Sequence, residues 1–174
     1  MQEFTSTVGR FADEKLASLW HYHLEVPQAV SDAFAEVKDR RVVVTYANGH
    51  QQHCALMPNG QGGYYIFLNA ELRKKLKVDE GDSLTVAIEE DTSEYGMPLP
   101  EELQVLLDQD DEGREAFHKL TPGKQRTLIY WVGGVKNPEK RMTKALVMIN
   151  HVRVRQGQVD FKALNADYKA ANER

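Results

Sequence analysis

Alternating apolar and polar positions dominate the first half of this chain, and helical spacing dominates the rest. FTSTV (4–8) and LWHYHLEV (19–26) alternate as half-buried strands, the second closed by Pro27. PQAVSDAFAEV then changes period. Pro27 suits a first helical turn, and Val30, Ala33, Phe34 and Val37 fall at helical spacing. RRVVVTYANGHQQHCALMP presents two strands around Asn48-Gly49, a dipeptide that predicts a two-residue type I′ hairpin because that turn needs positive φ at both central positions. NGQGG (59–63) predicts a loop before YYIFLN. AELRKKL predicts a helix, joined through Glu80-Gly81-Asp82 to the strand SLTVAIEE. Several short strands with two helices, and no helical crossover after each strand, predict a small mixed barrel.

Beyond DTSEYGMPLP, which reads as a linker, the period becomes helical. EELQVLLDQ sets Leu103, Leu106 and Leu107 on one stripe, and GREAFHKL adds a short helix. Thr121-Pro122 is a cap followed by proline at the first helical position, opening a helix expected to reach about Lys136. Asn137-Pro138 repeats the device and opens the longest helix, stopped by Gly157. Met142, Ala145, Leu146, Ile149 and Val152 form its apolar stripe, and Asp160 caps a last helix. The expected organisation is a β-barrel domain over 1–96 and a module of about four helices over 97–174.

Charge supports two unlike units. Residues 1–100 carry 9 basic and 15 acidic side chains, residues 101–174 carry 13 and 11, and the whole chain has a net charge of −4. Between 113 and 157 ten Lys and Arg stand against Glu115 and Glu139 alone. The single cysteine, Cys54, excludes an internal disulfide and suits a reducing cytoplasm. No run approaches the ~20 apolar residues of a membrane span, and the N-terminus has no signal-peptide pattern. A cytoplasmic, monomeric protein is the expectation.

GGYYIFLNAELRKKLKVDEGDSLTVAIEED resembles the second half of the N-terminal barrel domain of bacterial YdeI/OmpD-associated proteins, and Trp20–Pro27, Arg41–Val44 and Asn48-Gly49 match its first half. PLPEELQVLL, AFHKLTPGKQRTLIYWV and KNPEKRMTKAL are similar to the helical module of that family, called bacteriocin-protection or OmpD-associated. The resemblance spans about residues 4 to 157. It implies an α+β fold: a small double-split β-barrel, like that of the AbrB/MazE class of DNA-binding regulators, followed by a helical module. It also implies an association with stress or antimicrobial-peptide protection, and no catalytic residues. Where the family has Ala-Lys and then Thr-Arg, this chain has Val135-Lys136 and then Glu139-Lys140-Arg141. Lys136 and Arg141 keep their places, and the missing threonine puts a shared polar site in question.

Arg73, Lys74, Lys75 and Lys77 are the one basic cluster of the barrel, which suits phosphate contact with nucleic acid. Glu71, Asp79, Glu80 and Asp82 surround it, and duplex-DNA binders present a clear basic face. A solvated helix is therefore the preferred reading, with an AbrB-like DNA-binding regulator as the alternative. His21 and His23 share a strand face, with His50, His53 and Cys54 near the hairpin, but their spacing matches no zinc motif and no metal or cofactor is expected. His53 and Cys54 are adjacent on a strand and face opposite ways, so they form no nucleophilic pair, and Cys54 reads as a core residue. His118 or His151 reaches it only through tertiary packing. Gly60, Gly62 and Gly63 precede a strand rather than a helix, which makes them a turn and not a phosphate loop.

Arg153 and Arg155 meet the negative end of the long helix's dipole, whereas Lys136, Lys140, Arg141 and Lys144 crowd its positive end. That concentration either pairs with the acidic barrel or holds an anion. Lys136, Arg141 and Lys144, beside Trp131, are the candidate residues for a small anionic ligand or a protein partner, in a groove between barrel and helices. Tyr130 and Trp131 otherwise read as core. The leading reading is a non-enzymatic binding or stress-protection protein, with an unrecognised hydrolase or transferase as a further alternative.

Overall fold

A strand whose two halves serve different neighbours organises the N-terminal part of the chain. The structure, a computed structural model, describes residues 1–11 and 22–173. Strand β1 (Gln2–Arg10) pairs antiparallel through Gln2–Thr7 with β7 (Ser83–Glu90), then through Val8–Arg10 with β2 (Tyr22–Val26). Between them lie α1 (Gln28–Asp32), β3 (Arg41–Tyr46), β4 (Gln51–Ala55), β5 (Met57–Pro58), β6 (Tyr64–Leu68) and α2 (Ala70–Leu76). The sheet runs β4-β3-β7-β1-β2-β6-β5. Its two edge strands are one stretch of chain: β4 pairs β3, and after Leu56 the same run joins β6 as β5. The seven antiparallel strands therefore form a nearly closed barrel. The expected beginning of the second strand, with Trp20 and His21, lies outside the described residues.

Period-2 alternation fills the barrel. Val42, Val44 and Tyr46 of β3, Leu24 and Val26 of β2, Ile66 and Leu68 of β6, and Val86 and Ile88 of β7 are all buried together with Phe4, Val8 and Leu56. Two local expectations are corrected. The hairpin at Asn48-Gly49 is not type I′: Gly49 alone has positive φ, at 78°, while the Tyr46 N–H reaches the His50 carbonyl at 3.0 Å and the Gly49 N–H reaches Tyr46 at 2.8 Å. Three residues make the loop, with glycine at its left-handed position. Helix α1 ends at Asp32 rather than Val37: the N–H groups of Phe34, Ala35 and Val37 bond three residues back, to Ser31, Asp32 and Phe34, in turns that lead toward β3, and the Arg40 guanidinium donates to the Ser31 carbonyl at 2.9 Å. Val30 and Phe34 still reach the core, and Ala33 is exposed.

Chain contacts divide the molecule into two compact units, Met1–Gly96 and Met97–Arg174. The second is helical: α3 (Glu101–Gln109), α4 (Asp111–His118), α5 (Pro122–Gly133), α6 (Pro138–Val154) and α7 (Phe161–Asn172). Side chains of Asp110, Thr121, Asn137 and Asp160 accept from the first free backbone N–H groups of α4, α5, α6 and α7. Helix α5 stops at Gly133, short of Lys136, and α6 at Val154, with Gly157 following at φ 82°. The buried face of α6 comprises Ala145, Met148, Ile149, His151 and Val152, packed in a core with Leu103, Leu107, Phe117, Leu128 and Val132. Leu146, expected inside, is 50% exposed; one step along the helix from Ala145 turns it off the stripe.

Candidate functional site

Strands β3 and β4 carry the most developed polar site of the barrel. Their register sets Val42 opposite Cys54 and Val44 opposite Gln52 on the inner face, and Arg41 opposite Ala55 and Val43 opposite His53 on the other. One residue past β7, Asp91 continues the ladder, its N–H bonded to the Arg41 carbonyl at 3.1 Å. The Asp91 side chain is wholly buried. It accepts from His53 Nδ1 at 3.0 Å and from Ser93, and Arg41 Nη2 stands 3.7 Å away. Burial alone raises the carboxyl pKa, but the hydrogen bonds from Ser93 and His53 outweigh it and leave the group below the usual carboxylate value. Arg41 also donates to the carbonyl of Gly96. Gly96 has φ 71°, and a Cβ there would sit 2.9 Å from Arg41 Nε, so only glycine lets the guanidinium pass.

With Nδ1–H donated to Asp91, the imidazole presents Nε2 as its free nitrogen, and no other described residue hydrogen-bonds the ring. Arg41 and His53 line a cleft of about 300 Å³ with Gln52, Cys54, Met57 and Phe67. The cleft lies on the seam where β4 and β6 part. Across that seam Gln52 Nε2 donates to the Phe67 carbonyl at 3.0 Å, while its Oε1 accepts from the buried Tyr46 hydroxyl at 2.6 Å. Burial pushes the Cys54 thiol up to about 12, so it stays protonated and unreactive near neutral pH. The arrangement can bind a molecule with an apolar body and a polar head. It offers an oriented imidazole but no activated nucleophile.

The other candidate residues are differently employed. Arg73 pairs with Asp79 at 3.0 Å and lies 3.5 Å over the Tyr22 ring, and Lys75 pairs with Glu71 at 3.2 Å; Lys74 and Lys77 are exposed. In the helical unit Arg141 grips Glu102 through two hydrogen bonds, of 2.6 and 2.7 Å, and donates a third to the Val135 carbonyl. The Lys144 ammonium lies 4.2 Å over the Trp131 ring and 5.3 Å from that of Tyr168, and burial lowers its pKa. Trp131 Nε1 donates to Asn165 at 3.1 Å, and Lys136 is exposed. Lys144 and Trp131 are thus together. Arg141 is committed to Glu102.

The described histidines do not converge. His23 packs against Phe11 and Tyr65, His50 stacks near Tyr46, and His118 is exposed on α4. His151 is buried, its Nδ1 3.2 Å from Asp167 and its Nε2 accepting the Asp160 N–H at 3.2 Å. Among the described residues no group of three His, Cys, Asp or Glu is placed to hold a metal ion. Gly60 and Gly62, with φ of 78° and 90°, form a loop around the Asn59 carboxamide, which accepts from the Gln61 and Gly63 N–H groups. Sequence reasoning missed Arg41, Gln52, Asp91, Met57 and Phe67 as site residues. Only the pairing of β3 with β7 brings Asp91 to Arg41 and His53.

Residues 4–88 match the family model DUF1905, a domain of unknown function, and residues 97–153 match the model described as bacteriocin-protection, YdeI or OmpD-associated. No curated protein matches the chain. Within the described residues no helix is long and apolar enough to cross a membrane.

Proposed function

We propose, for a chain that joins a DUF1905 barrel to a bacteriocin-protection, YdeI or OmpD-associated domain, a non-enzymatic role as a binding protein of the protective kind. Its ligand is a small molecule with an apolar body and an anionic head, held in the cleft on the barrel seam. The observation that carries this reading is the Asp91-oriented His53 beside Arg41, facing a cleft otherwise lined by Met57, Phe67 and the edge of β4. A cleft of about 300 Å³ suits a compact ligand rather than a large cofactor. The protonated Cys54 and the absence of a hydroxyl or thiol on the His53 ring, among the described residues, favour binding over covalent chemistry.

The sharing of β1 and of the 51–58 run between two four-stranded halves supports a double-split, AbrB/MazE-like reading of the barrel. A DNA contact through Arg73, Lys74, Lys75 and Lys77 has less behind it, since two of the four cations are already paired with carboxylates. Lys144 and Trp131 remain a secondary candidate surface, with Lys136 exposed on the same unit.

A thermal-shift titration with acetate, benzoate and inorganic phosphate tests the proposal. A ligand at a hundredfold excess over its Kd stabilises by about 2.7 kcal/mol, a readily measured rise in Tm. Benzoate is expected to give the rise and His53→Ala to abolish it. If none of the three anions moves Tm, the reading is wrong.

A further inference from the structure

Among the described residues no strand pairs the edge of β4 that borders the cleft. Flanking bonds, Tyr46 N–H to His50 carbonyl and Leu56 N–H to Arg40 carbonyl, fix the phase of its ladder with β3. In that phase His50, Gln52, Cys54 and Leu56 bond to β3, so the backbone N–H and C=O groups of Gln51, His53 and Ala55 point away, into the seam. Across the seam the Phe67 carbonyl faces the same gap, because the Gln52 side chain reaches it. No Lys, Arg, Asp, Glu or proline occurs from His50 to Met57, so this edge carries neither the charge nor the proline that keeps strands from pairing. The other edge, β5, is two residues long and ends on Pro58.

The Gln52 carboxamide occupies the position of a missing rung. Its N–H donates to a strand carbonyl, as the N–H of a peptide group lying in the seam would, while its oxygen accepts from the Tyr46 hydroxyl. We propose that the seam between β4 and β6 receives an extended peptide, which adds as a further strand and displaces the Gln52 amide from the Phe67 carbonyl. Its backbone bonds to His53 and Ala55 on one side and to Phe67 on the other. One small apolar side chain enters the cleft beside Met57, and an acidic group lies against the Arg41 guanidinium, next to His53. The inference rests on the cleft being a ligand site and names the ligand as a peptide with an acidic end.

The probe is the pentapeptide acetyl-VTVTE with a free C-terminus, with the same peptide N-methylated at its central valine as control. Hydrogen exchange at the His53 and Ala55 amides of the full chain is the readout. The peptide is expected to slow exchange at both positions at least tenfold, and the N-methylated form, unable to continue a ladder, to leave them unchanged. Gln52→Ala, which removes the side-chain bond that the peptide must displace from the Phe67 carbonyl, is expected to bind the peptide several-fold tighter. Unchanged exchange in the wild-type chain overturns the inference without recourse to any variant. If benzoate still raises Tm in that case, the peptide is wrong and the small-ligand reading stands; if neither binds, both fall.

Discussion

Asp91 carries its charge with its side chain entirely out of solvent, between His53 and Arg41. Removing it as Asp91→Ala leaves His53, Ser93 and Arg41 around a vacated acceptor and is expected to cost about 3 kcal/mol, the low end for breaking one side of a buried ion pair. Because its folded pKa lies below that of the unfolded chain, its stabilisation is present above about pH 4 and is lost as pH falls through the folded value. Thermal melts between pH 6 and 2 should show a steeper acid loss in the wild type than in Asp91→Asn; parallel curves would remove Asp91 from the account. The orientation of its neighbours was legible beforehand, since strand parity alone puts His53 and Cys54 on opposite faces. Asp91 itself was not. In the run Glu89-Glu90-Asp91 no periodic mark separates the buried carboxylate from two exposed ones. Arg141 and Glu102 were hidden for the same reason, because 39 positions separate two charges that meet only through helix packing.

At the level of elements, the clearest signals were chemical punctuation. Thr121-Pro122, Asn137-Pro138 and Asp160 each cap the helix they announce, because a short acceptor side chain at that place satisfies an N–H that the helix cannot. Asn137→Ala removes the bond from the Lys140 N–H and is expected to lower stability by about 1 kcal/mol, read as a fall in the urea midpoint with unchanged m-value. Signals resting on one spacing or one dipeptide fared less well. Apolar spacing after Pro27 extended α1 by five residues, because Phe34 and Val37 lie in turns that still face the barrel. Asn48-Gly49 marked the hairpin correctly and its loop length wrongly: a positive φ at Gly49 alone satisfies the three-residue form. The stripe of α6 misplaced Leu146, since a residue four past Met142 lies on the flank once Ala145 and Ile149 define the centre.

For the whole molecule, strand order was the part that alternation could not supply. Each strand shows which residues face inward, but nothing in β1 says that Gln2–Thr7 pairs with β7 while only Val8–Arg10 pairs with the strand that follows. Phe4 lies opposite Val86 in the finished barrel. Such non-local pairing slows folding, because the intervening loop must close before the contact returns any stability. During translation, at about 5–20 residues per second, the N-terminal strand leaves the ribosome on the order of ten seconds before its mate exists. A nascent chain ending at residue 80 is accordingly expected to show no cooperative melt by circular dichroism, whereas one ending at residue 96 should show a single sharp one. Until Ser83–Glu90 emerges, the growing polypeptide holds an incompletely mated ribbon, and self-association competes with maturation throughout that interval.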